Sequence, residues 1–178
     1  DFAHPEDDLS GYRLVVAPAS YLLTQRSADN LTAFVAGGGT LLVSAFAAAV
    51  DEHDTVHAGG FGAPLRDALG LVVEEYRPLR EGDEITVDLI GSDATNPLVS
   101  RDWTEDLALD GARPWATYAS SPEGGPEVGT PAITRHEHGE GAGWYVGTTL
   151  DVAGLAPVLA AVYADAGITP ASTPDGVE

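Results

Sequence analysis

The apolar residues of this chain recur in two rhythms, and together they mark out its elements. Tyr12 to Ala17 is a short β-branched run closed by Pro18. That pattern predicts a buried strand, because proline has no N–H to extend the ladder. Leu31, Phe34 and Val35 follow at helical spacing behind Thr24 and Ser27, either of which can cap the helix. Gly37-Gly38-Gly39 supplies its stop. Thr40 to Ser44 is an unbroken apolar run, as expected of a strand covered on both faces. Strand, helix, stop and strand make one βαβ unit, which predicts a parallel sheet in an α/β fold.

Beyond Ser44 the pattern weakens. Ala45 to Gly62 reads as a long loop rich in glycine and charge, followed by a short helix over Pro64–Leu69 that Gly70 ends. Leu71 to Tyr76 predicts another strand. Residues 77–105 are harder to read, and the alternation of Ile85, Val87 and Leu89 predicts one half-exposed strand there. Trp115–Ala119 and Ala132–His136 are further strand candidates. Gly139 to Gly143 has the composition of a hairpin turn feeding a strand at Trp144–Gly147. Asp151 starts a helix through Ala166, with Leu155, Leu159 and Val162 toward the core and Gly167 as its stop. The run from Thr169 reads as a linker.

Length and charge narrow the function classes. At 178 residues the chain is long enough for one domain with a sizeable core. Twenty-eight Asp and Glu face eight basic residues, every one arginine, for a formal charge of −20. A nucleic-acid partner is excluded because a phosphate backbone needs a basic footprint, and an anionic membrane surface is disfavoured likewise. Carboxylates suited to high salt and GC-rich coding both account for this balance. Cysteine is absent, which removes disulfides, thiolate metal sites and a cysteine nucleophile. No apolar stretch is long enough to span a bilayer and no signal-peptide pattern opens the chain, so the expected location is cytoplasmic.

Each candidate for chemistry is incomplete. The turn after the second strand reads Ser44-Ala45-Phe46-Ala47, without the glycines of a nucleophile elbow, so Ser44 is expected to be a strand-end hydroxyl. His136 and His138 share one face of a strand and are weak candidates for a metal, lacking a third ligand nearby. Asp51-Glu52-His53-Asp54 concentrates carboxylates in the long loop, but without the spacing of a calcium loop. The glycines at 139–143 lack the lysine of a P-loop and precede a strand, where a dinucleotide fingerprint would open a helix. Glu74 and Glu75 are adjacent on a strand and cannot face each other across a sugar. Asn30-Leu31-Thr32 matches a glycosylation sequon inside a predicted helix. No cofactor is expected.

Four segments carry more than fold class. They are DLSGYRLVVAPASYLLT (Asp8–Thr24), LTAFVAGGGTLLVSAFAAAVDEHDTVHAGGFGAPLRDALGLVVEEYRPL (Leu31–Leu79), TPAITRHEHGEGAGWYVGTTLD (Thr130–Asp151) and LAPVLAAVYADAGI (Leu155–Ile168). Together they resemble the trimerisation domain of the family-42 glycoside hydrolases, β-galactosidases of bacteria and archaea. Residues 81–130 match least.

The resemblance implies a three-layer α/β/α fold with a mostly parallel sheet, flavodoxin-like and similar to class I glutamine amidotransferases, without their catalytic cysteine. It implies that residues 1–168 are a trimerisation domain lacking its first strand and helix, and that 169–178 lead into a C-terminal β domain. It further implies a homotrimer whose parent chain carries a catalytic barrel. There two glutamates, neither of them in this sequence, would hydrolyse terminal β-D-galactosides with retention. Because three chains of charge −20 repel, the contact is expected at a charge-depleted patch. Loop position nominates Asp51, Glu52, His53, Val56, Phe61, Pro64 and Tyr76 for it. Two other classes stay open: a sugar-binding module that stacks ligands on Trp103, Trp115 or Trp144, and an amidotransferase-like hydrolase. A flavodoxin-like electron carrier is set aside, because no hydroxyl- and glycine-rich phosphate loop follows the first strand.

Overall fold

The computed structural model describes residues 1–91 and 97–170. Strand β1 (Leu14–Ala17) is followed by helix α1 (Gln25–Ala36) and strand β2 (Thr40–Ser44). Thr24 is the N-cap of α1, its hydroxyl accepting the Ser27 N–H at 3.0 Å. A 3₁₀ turn over Ala63–Leu65 runs into the single-turn helix α2 (Arg66–Leu69). Strands β3 (Leu71–Pro78), β4 (Ile85–Leu89), β5 (Leu98–Leu109) and β6 (Arg113–Tyr118) come next. The chain closes with β7 (Pro131–His138), β8 (Gly141–Val146), β9 (Thr148–Leu150) and helix α3 (Val152–Asp165), which Asp151 caps through Gly154 N at 2.7 Å.

Among the described residues nine strands join one sheet in the order β1-β2-β8-β7-β6-β4-β5-β3, with β9 alongside β5. Pairing β1–β2 and pairing β2–β8 are parallel. The other six pairings are antiparallel. The expectation of a mostly parallel sheet is therefore corrected. A parallel neighbour needs a crossover of a dozen or more residues, and α1 provides one between β1 and β2. Strands β7 and β8 meet instead across the tight turn at Gly139-Glu140. The remainder of the α/β expectation stands as a mixed sheet with helices on both faces.

Two apolar clusters cover those faces. Leu31 and Val35 of α1, Leu65, and Ala68 and Leu69 of α2 pack on Leu41, Val43 and Tyr145. On the other side Val158 and Val162 of α3 pack with Leu42, Trp144, Val146 and Ile133. Successive residues of β2 thus feed opposite clusters, which explains its unbroken apolar run. Two glycines are demanded by the packing. Gly70 ends α2 at φ +63, and a side chain there would meet the Ala112 nitrogen at 2.6 Å. At Gly143 an added Cβ would run into the Ala68 carbonyl, so only glycine lets α2 lie this close to β8.

The unread stretch contains the longest strand. β5 pairs with β3, β4 and β9, and its register slips between Ser100 and Thr104, where Asp102 adopts φ +71. Such a bulge erases the period-2 signal by shifting side chains from one face to the other. The long loop after β2 is also less open than expected: Ala47, Ala48, Ala49 and Val50 are buried, and Val50 bridges both Leu22 and Val56. The expected continuation beyond Pro170 lies outside the described residues.

Candidate functional site

The turn leaving β2 is strained. Phe46 sits at φ +71 and Ala48 at φ +50, conformations costly for residues with a side chain. The strain is held by Glu105, a fully buried carboxylate on β5. Its Oε1 accepts the Phe46 N–H at 3.0 Å and the Trp103 indole N–H at 3.1 Å. Its Oε2 accepts the Tyr145 hydroxyl at 2.6 Å. One oxygen pair thereby ties the β2 turn, strand β5 and strand β8 together. Burial nevertheless pushes the Glu105 carboxyl above its ordinary value of 4.5, since desolvation outweighs the three donors. Burial and the neighbouring carboxylate push Tyr145 far up as well.

Around this hub lies an aromatic group. Phe46 stands 4.1 Å from Trp103 and 5.1 Å from Tyr76, measured between ring centroids. Tyr76 stacks on Phe61 at 4.2 Å, and Tyr21 flanks Phe46 at 6.4 Å. Burial and the Glu105 charge raise Tyr76, whose hydroxyl has no hydrogen-bond partner among the described residues.

The nominated contact residues fall into distinct settings. Phe61 and Tyr76 pack half-buried against the core, and Pro64 is the middle residue of the 3₁₀ turn. Asp51 turns its carboxylate onto its own loop, accepting the Thr55 and His53 N–H groups at 2.9 and 2.8 Å. These bonds hold Asp51 below its ordinary value. Glu52, His53 and Val56 are exposed, with Val56 beside Val50 and near exposed Leu22 and Tyr21. Among the described residues no group of three or more His, Asp or Glu side chains is placed to hold a metal. His136 and His138 share a face as expected, their rings 6.3 Å apart, and His136 packs against the turn at Gly70.

The remaining candidates have structural duties. Ser44 Oγ accepts the Ala19 N–H at 2.8 Å, linking the ends of β1 and β2. Trp144 is buried and donates its indole N–H to Asp165 at 2.8 Å, while Trp115 packs edge-on against it. That leaves Trp103 as the one tryptophan in the aromatic group. Asn30, within the sequon, spends its side-chain amide on the carbonyls of Pro5 and Asp7. Glu105, Phe46 and Tyr145 carry the site and none was nominated from sequence. The usable signal was a glutamate two places from both Trp103 and Leu107, on the face they share.

A family model described as the β-galactosidase trimerisation domain matches residues 1–169. The chain belongs to that family. Among relatives of this trimerisation-domain chain, β-galactosidase BgaB of a Geobacillus strain is 41% identical over 96% of the chain and 24% of its own length. An Arthrobacter β-galactosidase is 38% identical over the whole chain and 24% of its own. A crystal structure of β-galactosidase from Bacillus circulans sp. alkalophilus superposes with a TM-score of 0.89 at 30% identity, covering 98% of the chain and 26% of the neighbour. The β-galactosidase of the Antarctic haloarchaeon Halorubrum lacusprofundi gives 0.84 at 32%, covering 97% and 25%. The trimerisation-domain chain thus spans about a quarter of the length of the relatives it matches.

Proposed function

We propose that this chain is the non-catalytic assembly module of a cytoplasmic β-galactosidase, closing three copies into a ring while another part of the parent protein hydrolyses terminal β-D-galactosides. The observation that carries the reading is the family match over residues 1–169. An exposed apolar rim of Tyr21, Leu22 and Val56, 46%, 51% and 53% exposed, supports it as a contact surface. In this reading the rim, with Asp51, Glu52, His53, Phe61, Pro64 and Tyr76 around it, meets the next copy. Three-fold closure then requires a heterologous contact.

The same reading takes residues 1–168 as the module and 169–178 as the way into a further domain. It takes the sheet as an amidotransferase-like three-layer core, with a further strand beside β1. The wholly structural use of Ser44 favours a module without chemistry of its own over an amidotransferase-like hydrolase.

Sedimentation equilibrium at low and molar KCl tests the assembly. A species of about 55 kDa, three times 18.4 kDa, should gain population with salt, because salt screens the repulsion between chains of charge −20. Leu22→Glu should return it to monomer. A folded monomer at every salt and protein concentration would refute the reading for this chain.

A further inference from the structure

Strands β2 and β8 are parallel neighbours whose continuations leave to opposite faces of the sheet. From β2 the chain passes to α2, which packs in the cluster with α1. From β8 it passes through β9 to α3, which packs in the other cluster. Connections that part in this way open a crevice at the carboxyl ends of the strands, where α/β sheets bind their ligands. Here the crevice is a cavity of about 460 Å³. That is within the roughly 300–1,000 Å³ of small-molecule sites. Its walls include Phe46, Trp103, Val146, Leu155 and Leu159, with Asp102 at the edge.

Two observations mark it as a built site. Ala19 (φ +43), Phe46 (φ +71) and Asp102 (φ +71) all line it. They are three of the five residues other than glycine at positive φ among those described. Strain gathered at one cavity is what a positioned binding surface costs. Independently, buried Glu105 hydrogen-bonds both aromatic walls through one oxygen, fixing the Phe46 backbone and the Trp103 ring. Walls held in advance lose little freedom on binding.

The lining also defines the ligand. Among the described residues Asp102 is the only ionisable one in the lining and no cation lines it, so phosphates, nucleotides and carboxylates are repelled. The Thr148 and Thr149 hydroxyls are already committed to the Trp103 and Arg101 carbonyls, and Ser44 Oγ to Ala19. A free sugar would give up its hydration there with few partners in return. We propose that this crevice binds a neutral aromatic small molecule, its ring packed on the cavity side of the contacting Phe46–Trp103 pair and any donor group turned to Asp102. This stands apart from the assembly reading and needs no second copy.

The test titrates the chain with p-cresol and follows the three tryptophan indole N–H signals by two-dimensional NMR. Saturable movement of the Trp103 signal, with those of Trp115 and Trp144 unmoved, is the expected result. A ligand of about eight heavy atoms should bind with a Kd on the order of 0.1–1 mM. At ten times that concentration Tm should rise by about 3–6 °C. Leu155→Trp, which fills the cavity from α3, should abolish both effects while keeping the circular dichroism of the parent. Absence of a saturable shift, or equal movement of all three indoles, overturns the proposal. So does a shift of Trp103 with galactose but not p-cresol, which would make this a sugar site. If p-cresol does nothing while Leu155→Trp changes the sedimentation of the chain, the crevice is a contact between copies and the proposal falls.

Discussion

Replacing Glu105 tests the physical account of the site. The wild-type carboxylate is fully buried and receives three donors, from Phe46, Trp103 and Tyr145. Glu105→Leu leaves all three donors facing an apolar group. At about 1–3 kcal/mol for each buried unsatisfied donor, less the relief of burying no charge, the loss should be about 4 kcal/mol. Glu105→Gln is milder. Its carbonyl oxygen can keep Phe46 and Trp103, and its amide can donate to the Tyr145 oxygen, which strands one hydroxyl proton. Two charge-assisted bonds become neutral, so about 1–2 kcal/mol is expected.

At roughly 2–4 °C per kcal/mol for a chain of this size, the leucine variant should melt about 8–16 °C below wild type. Glutamine should fall between them. The pH dependence has a definite sign. Because the folded-state value of Glu105 is raised above 4.5, the folded chain binds its proton more tightly than the unfolded one. Ionisation therefore carries a penalty that is present at neutral pH and relieved as pH falls through the folded value toward 4.5. The advantage of wild type over Glu105→Gln should widen across that window and stay constant below it. Guanidinium denaturation of both proteins from pH 7 to pH 4.5 measures this. A glutamine variant as stable as wild type at neutral pH, or a gap that narrows on acidification, would refute the reasoning.

Other perturbations follow from the same structure. Thr24→Ala removes the cap of α1 and should cost about 0.5–2 kcal/mol by denaturant titration, with Thr24→Ser close to wild type. Gly143→Ala drives a methyl group into the Ala68 carbonyl, and should cost more than 1 kcal/mol or shift α2, whereas alanine at the open position Gly11 should cost less. Asp165→Ala strips the Trp144 indole and Arg135 of a shared partner; a loss of about 2–3 kcal/mol is expected, with a change in near-ultraviolet circular dichroism.

How much was legible beforehand varies along the chain. Helix α1, strand β2 and the stop at Gly37–Gly39 follow from local chemistry, since a cap, a helical period and a glycine run act within a few residues. The same holds for α3 and its Asp151 cap. The family, too, was readable in the order and spacing of four segments. Strand direction was not local: β2 lies parallel to β8, about a hundred residues on, and nothing in Thr40–Ser44 states that partner. Strand β5 escaped because a bulge at Asp102 breaks its alternation and because its charges look solvated.

Glu105 shows the limit most plainly. By residue type it belongs on the surface. Only when the sheet brings Phe46, Trp103 and Tyr145 around it do three donors converge that can hold a carboxylate away from water. Sequence by itself determined the helices and the strands with an unbroken local pattern, the acidity and the family. Tertiary structure decided which carboxylate is buried, which aromatics face a cavity and where the strain is kept, because each depends on groups that meet only after distant strands have paired.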